Sequence, residues 1–216
     1  MNVQAVTPLR VLVVCTGNIC RSAFAASYLR AGMARVAPGA FAVSSAGTGW
    51  HDQLRVPREV RALGARHGLD IDRHEGRFLT EQLIRDADLV LTATREHRQA
   101  VLAAVPAALK RTYLLTEFAE LIAAAPRVGA DPDAWRAAIR AAAMHRGSVT
   151  GRDIPDPYRR ELAAYEQMER VLLPALDAIV AAAGPAGETG PAAGPTPDAT
   201  ITSDAQATSD AQAASD

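Results

Sequence analysis

Leu9–Val14 is a short aliphatic run, rich in valine and interrupted by Arg10, that stops abruptly at Cys15-Thr16-Gly17-Asn18. It reads as a strand buried on both faces, which belongs in a parallel sheet with helices above and below. Helical composition follows at once from Ala23 to Val36 and stops at Ala37-Pro38-Gly39. A buried strand, a loop of small polar residues and a helix in direct succession leave few folds open. They also bring the unpaired N–H groups of a helix start to the end of a strand.

The rest of the chain repeats the alternation. Phe41–Ser45 reads as a strand, and Val56–His67 as a helix with Pro57 near its first turn and Gly68 past its end. Asp88–Thr92 reads as a third strand, Glu96–Val105 as a helix ended by Pro106, and Arg111–Leu115 as a fourth strand. This order predicts a three-layer α/β/α domain around a four-stranded parallel sheet. Asp131-Pro132-Asp133 opens a helical stretch through Met144, and Asp153–Pro157 is a loop punctuated by proline. Leu162, Tyr165, Leu172, Leu176 and Ile179 fall on one face of a last helix, to about Ala183, that Pro174 is expected to kink.

From Gly184 onward Gly, Pro, Ala, Thr and Ser dominate, with Ser-Asp-Ala-Gln-Ala occurring twice, so residues 184–216 are expected to be a disordered tail behind a folded unit of residues 1–183. The tail holds five acidic residues and no Lys or Arg, so the folded unit carries a formal +4, 23 basic against 19 acidic residues. A balance that close excludes a generic nucleic-acid-binding surface as the first reading. No stretch is apolar enough to span a membrane, and the N-terminus has no signal-peptide pattern, so a cytoplasmic protein is expected. The two cysteines, Cys15 and Cys20, cannot make a disulfide framework, and no Cys/His cluster has metal-ligand spacing; no metal and no cofactor are expected.

The chemistry concentrates in Cys15-Thr16-Gly17-Asn18-Ile19-Cys20-Arg21-Ser22. A loop wrapped over a helix start aims several backbone N–H groups at one anion. Gly17 allows backbone conformations that other residues resist. Arg21 adds a planar, permanently charged fork suited to two phosphate oxygens. The same positive field favours the thiolate of Cys15 over its thiol, which makes Cys15 a nucleophile placed for in-line attack on phosphorus.

This segment closely resembles the signature Cys-x-Gly-Asn-Ile-Cys-Arg-Ser of the low-molecular-weight protein tyrosine phosphatases. The resemblance continues, in the family's order, at Ser44-Ser45-Ala46-Gly47-Thr48-Gly49-Trp50-His51, at His74-Glu75-Gly76-Arg77 and at Asp156-Pro157-Tyr158. It implies a hydrolase that cleaves phosphotyrosine, and small aryl phosphates, through a phosphocysteine. Cys15 would be the nucleophile, Arg21 the phosphate clamp and Asp156 the general acid and base, its approach restricted by Pro157. Thr16, Gly17, Asn18, Ile19, Cys20 and Ser22 would form the phosphate loop, with Ser45 and His74 completing a network that supports it. Trp50 and Tyr158 would be the aromatic walls of a deep substrate slot. In the family the second cysteine, here Cys20, can trap an oxidised nucleophile as a disulfide. The partner implied is a phosphotyrosine-bearing protein, a tyrosine kinase among the candidates.

The chain departs from the family pattern at three places. Ala93-Thr94 stands where Met-Asp is usual, Gly76 where the His-x-Ala-Arg motif has Ala, and Asp-Gln-Leu-Arg precedes Val56-Pro57 in place of a Gly-x-Pro run. An arsenate reductase of the same fold using a small-thiol donor is the alternative reading, although it leaves Asp156-Pro157-Tyr158 without a job. Arginine-phosphate phosphatases typically carry Thr where Ile19 stands, and an apolar residue there suits an aryl ester. A phosphate-binding module without turnover is the reading from outside the enzymes.

Overall fold

The computed structural model describes residues 7–185. Four parallel strands, β1 (Leu9–Cys15), β2 (Phe41–Gly47), β3 (Leu89–Thr92) and β4 (Thr112–Leu114), form one sheet in the order β2-β1-β3-β4. The helices are α1 (Arg21–Val36), α2 (Arg58–Arg66), α3 (Glu81–Asp86), α4 (Arg95–Ala104), α5 (Leu115–Ala123), α6 (Pro132–Met144) and α7 (Leu162–Ala183), with 3-10 turns at Pro106–Arg111 and Arg146–Ser148.

The alternation of β1 side chains divides the core. Val11, Val13 and Cys15 face a large cluster built with α1, α2, α5, α6 and α7, whereas Leu12 and Val14 face a smaller one built with Ile84 of α3 and Val101 of α4. Six of the seven β1 residues are buried and Arg10 is exposed, which accounts for a nearly uninterrupted apolar run. Three layers follow, as expected. Because β2 and β3 lie on opposite sides of β1, the chain reverses direction there, and the crevice opens at the carboxyl end of β1.

Boundaries differ from the sequence reading where local signals compete. β2 runs on to Gly47, since its last residues pair with β1 as far as Cys15. Pro57 is the N-cap of α2, so that helix starts at Arg58 and not at Val56. Helix α5 follows β4 with no breaker between them, and Tyr-Leu-Leu continues a strand pattern into the helix. Its N-terminus is fixed by Glu117, whose carboxylate accepts from the Leu114 backbone N–H at 3.0 Å. Helix α7 is a single element across Pro174, although the proline removes the N–H that would meet the Arg170 carbonyl. Among the described residues no helix is long and apolar enough to cross a membrane. The expected tail has its residues 186–216 outside the described ones.

Glu117 also lies between two guanidinium groups, Arg98 at 3.0 Å and Arg146 at 3.3 Å, and is 3% exposed. Arg146 in turn sits over the Tyr113 ring at 4.2 Å. Removing the buried carboxylate leaves two half-buried guanidinium groups without their counter-charge and frees the α5 N-terminus. Glu117→Ala is therefore expected to cost about 3–5 kcal/mol in urea unfolding at neutral pH.

Candidate active site

Cys15 ends β1 and Arg21 begins α1, so the five residues between them wrap the helix N-terminus. Cys15 is buried, and its Sγ lies 2.9 Å from Ser22 Oγ. The loop is held by Asn18, fully buried and at a positive φ of 52°. Its amide nitrogen donates to Ser22 Oγ and to Ser45 Oγ, both at 2.9 Å, and its amide oxygen accepts from the Arg77 backbone N–H at 3.0 Å. His74 Nε2 lies 2.8 Å from the Asn18 carbonyl, which can only accept, so that nitrogen carries the proton. Burial lowers the pKa of His74, and Arg30 and Arg77 act in the same direction. The four expected members of the supporting network, Asn18, Ser22, Ser45 and His74, are thus brought together.

The end of β2 lies against the same loop. Thr48 N–H donates to the Cys15 carbonyl and Gly49 N–H to that of Thr16. A Cβ on Gly47 would sit 2.4 Å from the Thr16 carbonyl oxygen, so only glycine permits that approach.

Arg21 is 5% exposed and its guanidinium is almost fully engaged. Nη2 donates to Asp156 Oδ2 at 2.8 Å and to Thr16 Oγ1 at 3.2 Å, and Nη1 to the Ile154 carbonyl at 3.4 Å. Its Nε–H is buried without a partner. Asp156 reaches this position because its loop is fixed at the sheet: Ile154 N–H donates to the Ala93 carbonyl at 2.8 Å, and Arg95 holds Asp153 through its backbone N–H and Nη1, each at 3.0 Å.

A cavity of about 210 Å³ opens between these groups, with Cys15, Thr16 and Arg21 inside it and Ile19, Leu54, His51, Asp156 and Tyr158 around it. Gly17 and Cys20 also line it. Burial, with Cys15 next, pushes the Cys20 thiol up, so it stays protonated. Tyr158 stands at the rim, where the sequence puts it. Trp50 does not: its indole packs over Gly76, where a Cβ would come within 2.3 Å of Nε1. The Gly76 departure and the position of Trp50 are one fact, because the family's usual alanine would collide with the ring. Leu54 and His51 take the wall instead, and the sequence marked neither.

The sequence also gave no sign of His97. It is 4% exposed, with Nε2 at 2.9 Å from Thr16 Oγ1 and Nδ1 at 2.6 Å from Thr94 Oγ1. Burial, and then Arg21, push its pKa down to about 4. Thr94, in place of the family's Asp, is the residue that caps α4 and holds this ring.

The sequence profile of the low molecular weight phosphotyrosine protein phosphatases matches residues 10–134. The chain belongs to this family. It is 31% identical over 164 residues to the low molecular weight protein-tyrosine-phosphatase Etp of Escherichia coli K12, covering 75% of this chain and 86% of that one. The YwlE arginine phosphatase of Geobacillus stearothermophilus has the same fold, with a TM-score of 0.61 and 25% identity over 80% of this chain and 91% of its own. So does the tyrosine phosphatase Wzb of Escherichia coli K30 in complex with sulphate, with a TM-score of 0.60 and 23% identity over 81% of this chain and 97% of its own. The profile match ends before Asp156, whose place rests on the contacts that fix its loop.

Asn18 combines a strained backbone with three side-chain hydrogen bonds. Asn18→Ala should destabilise the protein by about 2–4 kcal/mol in urea, and Asn18→Gly should recover only the backbone part, about 1 kcal/mol. Both variants should lose affinity for inorganic phosphate, read by calorimetry.

Proposed function

We propose that the protein is a protein-tyrosine phosphatase that hydrolyses phosphotyrosine and small aryl phosphates through a phosphocysteine, with residues 1–183 as its catalytic unit. The observation that carries this reading is the Asp156 carboxylate held at 2.8 Å from Arg21 at a cavity that contains Cys15. Nucleophile, phosphate clamp and acid thereby meet at one small opening.

In the first step the Cys15 thiolate attacks phosphorus, the P–O bond to the aryl group breaks, and the Asp156 carboxyl gives its proton to the leaving oxygen. In the second a water attacks phosphorus, Asp156 takes its proton, and the S–P bond breaks to return the thiolate. Ser22 Oγ, at 2.9 Å from the sulfur, can donate to that thiolate as it leaves. Phosphate charge is met by the loop N–H groups and by the guanidinium of Arg21.

Ile19, Leu54 and Tyr158 make much of the wall apolar or aromatic, which suits a phenyl ring better than a charged guanidinium. That favours an aryl ester over phosphoarginine, the substrate class in the name of the YwlE relative. A thiol-dependent arsenate reductase would have no use for an acid facing Arg21. The substrate we infer is phosphotyrosine on a protein.

Hydrolysis of p-nitrophenyl phosphate, a phosphotyrosine peptide, phosphoarginine and arsenate turnover with a thiol donor, run side by side, test the reading. Cys15→Ser should abolish phosphatase activity, and Asp156→Ala should lower kcat by on the order of 10²–10⁴, most for the poorest leaving group. Acid-quenched wild type should carry phosphate on Cys15. Undiminished turnover by Cys15→Ser, or preference for phosphoarginine or arsenate, would overturn it.

A further inference from the structure

The steps above leave His97 without a task, yet it is a buried ring in the first turn of α4 that contacts Thr16 of the loop after Cys15. Thr16 Oγ1 receives a hydrogen bond from Arg21 Nη2 and contacts His97 Nε2 at the same time, at 3.2 and 2.9 Å. On its other side His97 Nδ1 is set by Thr94 Oγ1, which also accepts from the His97 backbone N–H and is thereby anchored at the start of α4. A hydroxyl one residue after Cys15 would otherwise rotate freely between solvent in the cavity and the guanidinium.

We propose that His97 is a positioning residue for phosphate recognition: it fixes the Thr16 hydroxyl as an acceptor for Arg21 Nη2 and so sets the orientation in which the guanidinium meets the incoming phosphate. The proposal rests on the reading under "Proposed function". A histidine suits the post because the groups around it keep its ring neutral. Burial and the Arg21 charge oppose a second cation there, and Asp156 and Asp153 offset this only in part. A lysine in its place would repel Arg21. A residue without a polar atom at the Nε2 position would release Thr16. The contact is also self-limiting in space, since Thr94 and Thr16 occupy both ring nitrogens and leave none for substrate. That separates it from an acid or base.

The test is a mutant cycle read by competition of inorganic phosphate against p-nitrophenyl phosphate, with urea unfolding in parallel. His97→Leu should weaken phosphate about tenfold and raise KM by a similar factor, the loss expected for one charge-assisted contact set wrong. His97→Gln, which can place an amide nitrogen near the Nε2 position, should return both to within about threefold of wild type. Thr16→Val should match His97→Leu, and the double variant should be no worse than Thr16→Val alone. If the two losses multiply, or if His97→Gln fares no better than His97→Leu, His97 acts only as packing and the proposal fails. Should His97→Leu not fold, Thr16→Val with and without His97→Gln decides the same point, because an added loss in the pair again excludes action through Thr16. Wild type that turns over aryl phosphate with an indifferent His97→Leu overturns this proposal alone. Wild type that turns over none overturns the functional reading, and calorimetric phosphate binding by the same four proteins still tests the arrangement of Arg21.

Discussion

The loop between Cys15 and Arg21 depends on one buried amide. A loop whose backbone N–H groups are kept for a ligand cannot use them to hold itself together, so side chains must. Asn18 does this with both amide N–H groups and its amide oxygen at once: it donates to the hydroxyls of Ser22 and Ser45 and accepts from the Arg77 backbone N–H. Its positive φ belongs to the tight turn in which this side chain is buried. The carbonyl left over is met by His74. Through these bonds the loop is fastened to β2 and to the segment after α2, two parts of the chain that carry no chemistry themselves. Gly47 then lets β2 come close enough for the fastening to work.

Charge is arranged around Arg21 with the same economy. A buried guanidinium needs compensation, and the described contacts supply a carboxylate, a hydroxyl and a carbonyl without closing the site. His97 adds polarity without charge, since its ring is neutral above about pH 4. Cys20 stays a protonated thiol for a related reason: its burial and the neighbouring Cys15 both oppose a second negative sulfur. On the proposed mechanism Arg21 is then the cation and Cys15 the nucleophile offered to a ligand, although a second cysteine and a histidine lie beside them.

The parts legible in the sequence are those set by neighbours in the chain. β1, its loop and α1 could be read because a buried strand, Gly17, Arg21 and Ser22 follow one another directly, and strand β3 because Leu89–Thr92 is buried on both faces. The layer order followed from alternation alone. What escaped depended on distant partners. Helix α5 was hidden because its first residues continue the apolar pattern of β4, and its start is decided by Glu117 and two arginines. His97 carries no local mark of its role, since Thr16 lies 81 positions away. Trp50 has the company of a surface residue, Gly49 and His51, and only the missing methyl of Gly76 shows why the ring turns away from the cavity. Asp156 could be placed by resemblance, but the Asp153–Arg95 pair that holds its loop could not.

The Arg21–Asp156 contact shows how a resting structure can be close to a working one. The carboxylate side chain is 44% exposed while the guanidinium is 6% exposed, so water already competes for one partner and the pair contributes modestly, on the order of 1 kcal/mol. A phosphate dianion offers the guanidinium two oxygens and more charge than a single carboxylate. On the proposed mechanism, entry of the ligand exchanges the weaker partner for the stronger one. On that mechanism the one contact both compensates the arginine and keeps the acid at the cavity. The base of the loop from Ile154 to Tyr158 is held at the sheet by Ala93 and Arg95, so the acid's place is set by the sheet and not by the ligand.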